Sequence, residues 1–514
     1  MTRLSKKLLA APALLAAAAL GACGDRASFI DPPGDRLFFP TGMALRRVNA
    51  AGGTCRPADG AACRTHLLVA SSNFDLAFSA TEGGTLAVID ADAAVEAASQ
   101  PGATSPLPLT TAGVLVGAPV PVGSYAGEVA VVDDSTCPGW EDGIPGQPPN
   151  TPEALVTSRQ LGSLYRVALG SDGPSCRNCA VKLNTALADP FGVTVACGSF
   201  PPSAGLAPQP RRDAWVTYLR APQSLGWLTR VDLDVHAPLA GNTDVNIGRV
   251  STHSSAYDPS TTRLYVSPRF DTNASSAPLR SLQLGRFDLS DTSTGTFGGA
   301  LQAIDLTSVL RGAEPRGLAL SRGPRAPGTA PRLFMGLRVF DATLASQLGV
   351  RPSGDLAGAL VAFDTVTGPD EAITPRFAAI LPIDRGATVV RTVERLATAT
   401  EPAKRDLVFA TATDDSSLLV YDDEVGKVAQ VIAFCQPTEN DPTPGPCQAG
   451  RPRLGLQPFG LAVEARAADA LHPAPYVRVY VGSFDRNWVN ILDMDPANPQ
   501  APPSGWWRIG QERP

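Results

Sequence analysis

Aspartate closes a short apolar run at six places in this 514-residue chain: Gly84–Asp90, Gly226–Asp232, Leu282–Asp288, Gly358–Asp364, Ser416–Asp422 and Asn487–Asp493. Carboxylates transfer protons or hold cations in many active sites, so a set of them is the first candidate for chemistry. Their setting argues for another role. Each stands where an apolar run gives way to a turn, and Asp in that place accepts hydrogen bonds from the backbone N–H groups that follow. A seventh copy, Gly162–Ala168, keeps the run but ends in Ala168. The acidic groups Asp414-Asp415, Asp422-Asp423 and Asp493-Met494-Asp495 could attract calcium, but none has the spacing of an EF-hand loop.

Histidine and cysteine supply the other reactive groups. The four histidines, His66, His236, His253 and His472, form no HExxH motif and have no metal spacing to cysteine. Cys176-Arg177-Asn178-Cys179 could be a redox pair or half of a zinc site, but no second CxxC completes it, and Ala180 excludes covalent haem attachment. There is no Gly-x-Ser-x-Gly elbow and no phosphate-binding glycine loop. No cofactor and no metal are therefore expected. Apart from Cys23, eight cysteines remain, an even number that reads as disulfides in an exported chain. Cys55 with Cys63, and Cys435 with Cys447, are the natural local pairs. Cys137, Cys176, Cys179 and Cys197 can pair in three ways, and the spacing does not choose.

The elements that would position these groups recur with the aspartate run. Before it comes a polar residue, three apolar ones and a small residue, as in His66–Ser71, Glu153–Ser158, Asp213–Tyr218, Arg263–Pro268, Arg332–Leu337, Asp406–Thr411 and Arg478–Ser483. This predicts a strand covered on both faces. Earlier still stands Pro-x-Gly and an apolar stretch, clearest at Pro40–Leu45, Pro190–Val195, Pro315–Leu320 and Pro458–Val463 and weaker at Ala126–Ala130, Thr252–Tyr257 and Asp384–Val389. Proline suits the turn before a strand and glycine permits close backbone approach, which an innermost strand requires. A further strand follows the aspartate, as in Lys427–Phe434. The aspartate positions recur about every 67 residues, more than the ~40–50 of common blades, and the surplus lies in Gly/Pro-rich inserts such as 138–152, 200–212, 321–331 and 436–457. Apart from 91–99, no stretch reads as a helix of ordinary length. The expected fold is all-β: a seven-bladed β-propeller of four-stranded antiparallel blades, with Gly505–Gly510 as the outer strand of the last.

These motifs resemble YVTN-type propeller repeats and, more broadly, the lactonase-like and surface-layer propellers, over about residues 40–493. Ala168 and the glycine-less copy at Thr252 depart from the pattern. That family contains enzymes, electron-transfer subunits and binding scaffolds, so the resemblance implies a fold more than an activity. The residue between Pro and Gly would enter the innermost strand at one mouth of the axial channel. Those positions read Thr41, Ala126, Phe191, His253, Arg316, Arg385 and Phe459, and Phe191, His253, Arg316, Arg385 and Phe459 would form the binding ring. Two arginines offer planar donors to a carboxylate or phosphate, so a small anionic ligand is expected. The same residues could instead plug the mouth by packing on one another. The expected role is a binding or scaffold module rather than an enzyme. The rival is a lactonase-like hydrolase or a quinone-linked oxidoreductase at the channel mouth, which would need acidic groups there.

The N-terminus combines Arg3, Lys6 and Lys7 with the apolar run Leu8–Leu20, the pattern of a secretory signal and too short for a permanent span. Leu20-Gly21-Ala22-Cys23 resembles the bacterial lipobox, which implies lipidation at Cys23, with Gly24 favouring the outer membrane. The expected organisation is a signal peptide over 1–22, a tether over 23–35 and one propeller domain over 36–514, in a monomer anchored to the cell envelope. The membrane and an envelope protein are the expected partners. Net charge is −6, and loss of the three basic residues in 1–22 leaves −9, which argues against a nucleic-acid partner.

Overall fold

A computed structural model describes residues 31–511 apart from 57–58, 60–62, 80, 143–148, 184–188, 201–208, 220–225, 235–242, 249–250, 261, 270–282, 289–301, 306–312, 322, 324–330, 340–356, 365–375, 384–386, 397–403, 414–415 and 435–456. Cys23, Arg385, Cys435 and Cys447 lie outside the described residues. The chain is an all-β propeller of small antiparallel sheets. Six of them have four strands in sequence order, and one, spanning Ala126–Lys182, has five.

The innermost strands are Pro40–Val48, Ala126–Val132, Pro190–Phe200, Ser251–Asp258, Ala313–Leu320, Ala387–Val393 and Pro458–Arg466. Each packs against the next, and the last packs against the first. Neighbouring sheets meet face to face over apolar layers. One such layer joins Leu68, Val88 and Val122 to Val129, Val156 and Val167, all buried. Another joins Leu67, Val69 and Ile89 of the first sheet to Tyr480, Ile491 and Ile509 of the last. This two-sided burial explains why the second and third strands read as continuous apolar runs.

The five-stranded sheet departs from the expected uniform blades. Its third strand, Ser163–Gly170, carries Ala168 where the other copies have Asp. The chain turns back at Gly173 and pairs as Gly173–Ser175 with the end of that strand. It then loops out through Cys176–Cys179 and pairs again as Ala180–Lys182 with the beginning of the same strand. The outer strand is thus split in two by a four-residue loop, and a disulfide between Cys176 and Cys179 closes it. The Gly/Pro insert at 200–212 is also shorter than read: residues 209–212 extend the second strand of their sheet as Gln209–Tyr218.

Disulfides join Cys55 to Cys63, the expected local pair, and Cys137 to Cys197, which ties the Ala126–Lys182 sheet to its neighbour. Such bonds belong to a protein of an oxidising, non-cytoplasmic compartment. Asp59 lies beside Cys55 and Cys63, but with the two sulfurs bonded to each other the group offers a metal no thiolate. Among the described residues no helix is long and apolar enough to cross a membrane.

The motif aspartates serve turns and ion pairs. Asp90 caps the helix Ala91–Ala98 by accepting from the Ala93 N–H at 2.9 Å. Asp232 accepts from Asp234 N–H, and Asp422 from Glu424 and Val425 N–H. The cross-strand partner of the aspartate adds a second role that the sequence reading missed. Arg478 stands opposite Asp493, and Arg332 opposite Asp364, each within ion-pair distance. Where Ala168 replaces Asp, its partner is Glu153, which pairs with Arg166 at 2.8 Å. The negative charge has moved across the ladder without being lost. Asp422 is also paired with Arg395, and Asp423 with Arg332.

Candidate functional site: an aromatic channel mouth

Strand register fixes which residues ring the mouth. Pro40, Ala126, Pro190, Thr252, Pro315, Ala387 and Pro458 each pair at or within two residues of the end of the second strand, and in every sheet the register then shifts before the next pair. This repeated bulge re-aims the residue after the paired one. The ring positions are therefore Thr41, Gly127, Phe191, His253, Arg316, Thr388 and Phe459. Five agree with the sequence reading. Ala126 occupies the proline's place, so Gly127 follows it. In the remaining sheet Arg385-Gly386 mimics the x-Gly pattern three residues early, and the registered position is Thr388.

Hydroxyls from the second strands hold this layer in place. Thr157 donates to the Phe191 carbonyl at 2.6 Å, Thr217 to that of His253 at 2.8 Å, and Ser267 to that of Arg316 at 2.7 Å. Each bond runs from one sheet to the inner strand of the next, so it sets both the spacing of the sheets and the height of the ring residue.

The side chains pack on one another. Phe191 lies 4.9 Å from the His253 ring and meets Phe459 edge-on at 6.2 Å. Phe191 and Phe459 belong to sheets that are not neighbours, so their contact spans the channel. Phe191 and His253 are buried, while Arg316 and Phe459 are partly exposed. The aromatic surface continues from Phe459 to Phe484 at 6.1 Å, from there to Phe39 at 5.0 Å and Phe74 at 5.2 Å, and on to Tyr125 at 5.4 Å. Phe74 is 49% exposed.

The backbone beneath this surface is unusual. Phe39, Leu76 and Tyr125 have φ of 47°, 53° and 54°, in the left-handed region that bulky residues avoid. Each such residue costs about 1–3 kcal/mol. Phe39 is held by its N–H donating to Asn487 Oδ1 at 3.0 Å, and Tyr125 by its N–H donating to the Ser72 carbonyl at 2.6 Å.

One layer below, Glu128 takes the place that glycine holds at Gly42, Gly192, Gly317 and Gly460. It is buried, and burial raises its carboxyl above the usual range, while Arg391 and the Val193 N–H oppose the shift. Arg391 Nη2 lies 3.9 Å from Glu128 Oε1, again between sheets that are not neighbours. A side chain at Gly192 would come within 3.2 Å of the carboxylate, so glycine leaves the room that Glu128 uses. The mouth thus offers aromatic faces above and an acceptor with a guanidinium donor below. The sequence reading found neither the loop aromatics nor this pair. The glutamate at a glycine position and the arginine at an alanine position were the available signs.

No family model matches the chain, and no curated protein matches its sequence. Solved structures resemble it in shape. Hydrazine synthase from Kuenenia stuttgartiensis is 10% identical, with 92% of this chain and 98% of that one covered at a TM-score of 0.47. The Glu150Asp mutant of the Synechocystis apocarotenoid oxygenase is 11% identical, covering 95% and 98% at 0.41. The fucose-specific lectin of Aleuria aurantia is 9% identical, covering 94% and 99% at 0.36. At these values the likeness carries no ligand and no reaction.

Proposed function

We propose that this chain is a binding module whose recognition surface is the aromatic mouth, and that it takes a small ligand with an apolar or aromatic body and an anionic group. The observation that carries this reading is the continuous surface of Phe191, Phe459, Phe484, Phe39 and Phe74, part of it exposed and resting on strained backbone. Arg316 and Arg391 supply the positive charge. In this reading the five-stranded sheet is a seventh blade with a split outer strand, and the repeats are of the YVTN type. Residues 36–514 form one domain, Cys23 carries the lipid that tethers it to the envelope, and the molecule is a monomer.

The probe for the mouth is 1-anilinonaphthalene-8-sulfonate, an aromatic anion that fluoresces in apolar sites. The folded wild type is expected to bind it with saturation, and Phe74→Ala with Phe459→Ala is expected to weaken binding about tenfold or more while the cooperative melt is kept. Unchanged binding in that variant would refute the reading. Glu128 is the observation that favours the rival, a lactonase-like hydrolase. Lactone hydrolysis by the wild type that disappears in Glu128→Gln would transfer the mouth to that rival.

The tether has its own check. Cys23→Ser is expected to move the chain from the membrane fraction to the soluble fraction and to abolish palmitate labelling. Labelling that persists would remove Cys23 from the proposal.

A further inference from the structure

A cavity of about 760 Å³ that shares no lining residue with the mouth opens between the outer strand Val120–Val122 of the first sheet and the split outer strand of the next. Its size suits a small organic molecule. Pro121, Pro174 and Val181 give it apolar walls, and the Cys176–Cys179 disulfide forms part of its edge.

Two lining groups are polar in a way the fold does not use. Tyr165 is 2% exposed, and its buried hydroxyl has no hydrogen-bond partner. An unsatisfied buried hydroxyl costs about 1–3 kcal/mol, and phenylalanine would fill the same space without that cost. Glu82 is exposed, and it is the sole charged side chain among the described lining residues. Burial first, then the nearby Glu82 carboxylate, push the Tyr165 hydroxyl up to about 12, so the two groups share one electrostatic neighbourhood. Gly123 belongs to the arrangement, since a side chain there would press within 3.3 Å of the tyrosine ring.

We infer that this cavity is a binding site for a small amphipathic amine, whose ammonium faces Glu82 and donates to the Tyr165 oxygen while its apolar body lies on the prolines. The charge decides the class: the lining carries a carboxylate and no base, so a cation is favoured over an anion of equal size. The site is separate from the mouth and takes the opposite charge.

The probe is phenethylamine, titrated into the intact chain by calorimetry, with 2-phenylethanol and 3-phenylpropionate as the neutral and anionic analogues. The amine is expected to bind best. Glu82→Gln is expected to weaken it about tenfold with an unchanged melt, and Tyr165→Phe about fivefold with a melt at or above that of the wild type, while Phe459→Ala leaves it untouched. Failure of the amine to bind at ten millimolar, equal binding of the anion, or affinity unchanged in both pocket variants would overturn the site. Loss of amine binding in Phe459→Ala would place the probe in the mouth and overturn it as well. Failure of the naphthalenesulfonate experiment leaves these outcomes unaffected.

Discussion

Arg478→Ala is expected to cost about 3–5 kcal/mol of folding stability, the usual range when one member of a buried ion pair is removed. The pair is well built. Arg478 Nε and Nη2 each donate to Asp493 at 2.7 Å, and the two side chains are 2% and 0% exposed. The fork geometry satisfies both carboxylate oxygens. Arg478 also reaches Asp92 at 3.3 Å, which links the last sheet to the helix after the first. Without the guanidinium, Asp493 keeps His472 at 3.3 Å among the described residues and is left buried without its forked partner. Urea denaturation at neutral pH measures the loss. The double variant Arg478→Met with Asp493→Leu is expected to recover most of it, because an apolar pair of similar volume avoids the desolvation cost. A single variant that loses less than about 1 kcal/mol, the scale of an exposed pair, would show that the interaction is not buried in solution.

The same pair shows what the sequence revealed and what it hid. Strand positions were legible because burial on both faces forces three apolar residues in a row, and the closing aspartate marks the turn. The partner of that aspartate was not legible, since cross-strand register depends on a turn of variable length between Arg478 and Asp493. Ala168 was visible as a break in the pattern. Its consequences, Glu153 facing Arg166 and an outer strand split at Cys176–Cys179, arise only when the strands are aligned.

The candidate site divides in the same way. Phe191, Arg316 and Phe459 were legible because each stands between a proline and a glycine in the recurring pattern, and His253 because its weaker copy, Thr252–Tyr257, aligns with them by spacing. Thr388 was missed because Arg385-Gly386 mimics the x-Gly signature. Phe39, Phe74 and Phe484 were missed because they come from connections between strands, where no periodicity constrains them. Glu128 and Arg391 meet across the channel, and no local pattern reports a contact between distant sheets. Phe191 packs on His253 and on Phe459, and Phe459 carries the aromatic surface on to Phe484.

Deleting residues 503–514 is expected to abolish cooperative folding and give a species that aggregates. Those residues include the outer strand Gly505–Gly510, which pairs along its length with Trp488–Met494. Ile509 is fully buried in the layer shared with the first sheet. Leu107, in the connection between the helix Ala91–Ala98 and the strand Val120–Val122, donates to the Arg508 carbonyl at 2.8 Å and accepts from Gly510 N–H at 2.9 Å, so the last strand is tied by backbone bonds to the connection within the first sheet. Its loss would uncover Val489 and Ile491 and leave Trp488–Met494 as an unpaired edge, a template for association with other chains. The first and last sheets would then be held mainly by contacts farther in, such as Thr65 Oγ1 to Glu464 Oε2 at 2.9 Å and Arg466 to Asp92 at 2.8 Å. Removing only 512–514 is the control and is expected to leave the melt intact. Light scattering and a thermal melt followed by circular dichroism separate the outcomes. A soluble truncation at 502 with a single sharp transition would mean that the ring holds together through its inner strands alone, and that the C-terminal strand is an ornament on the last sheet.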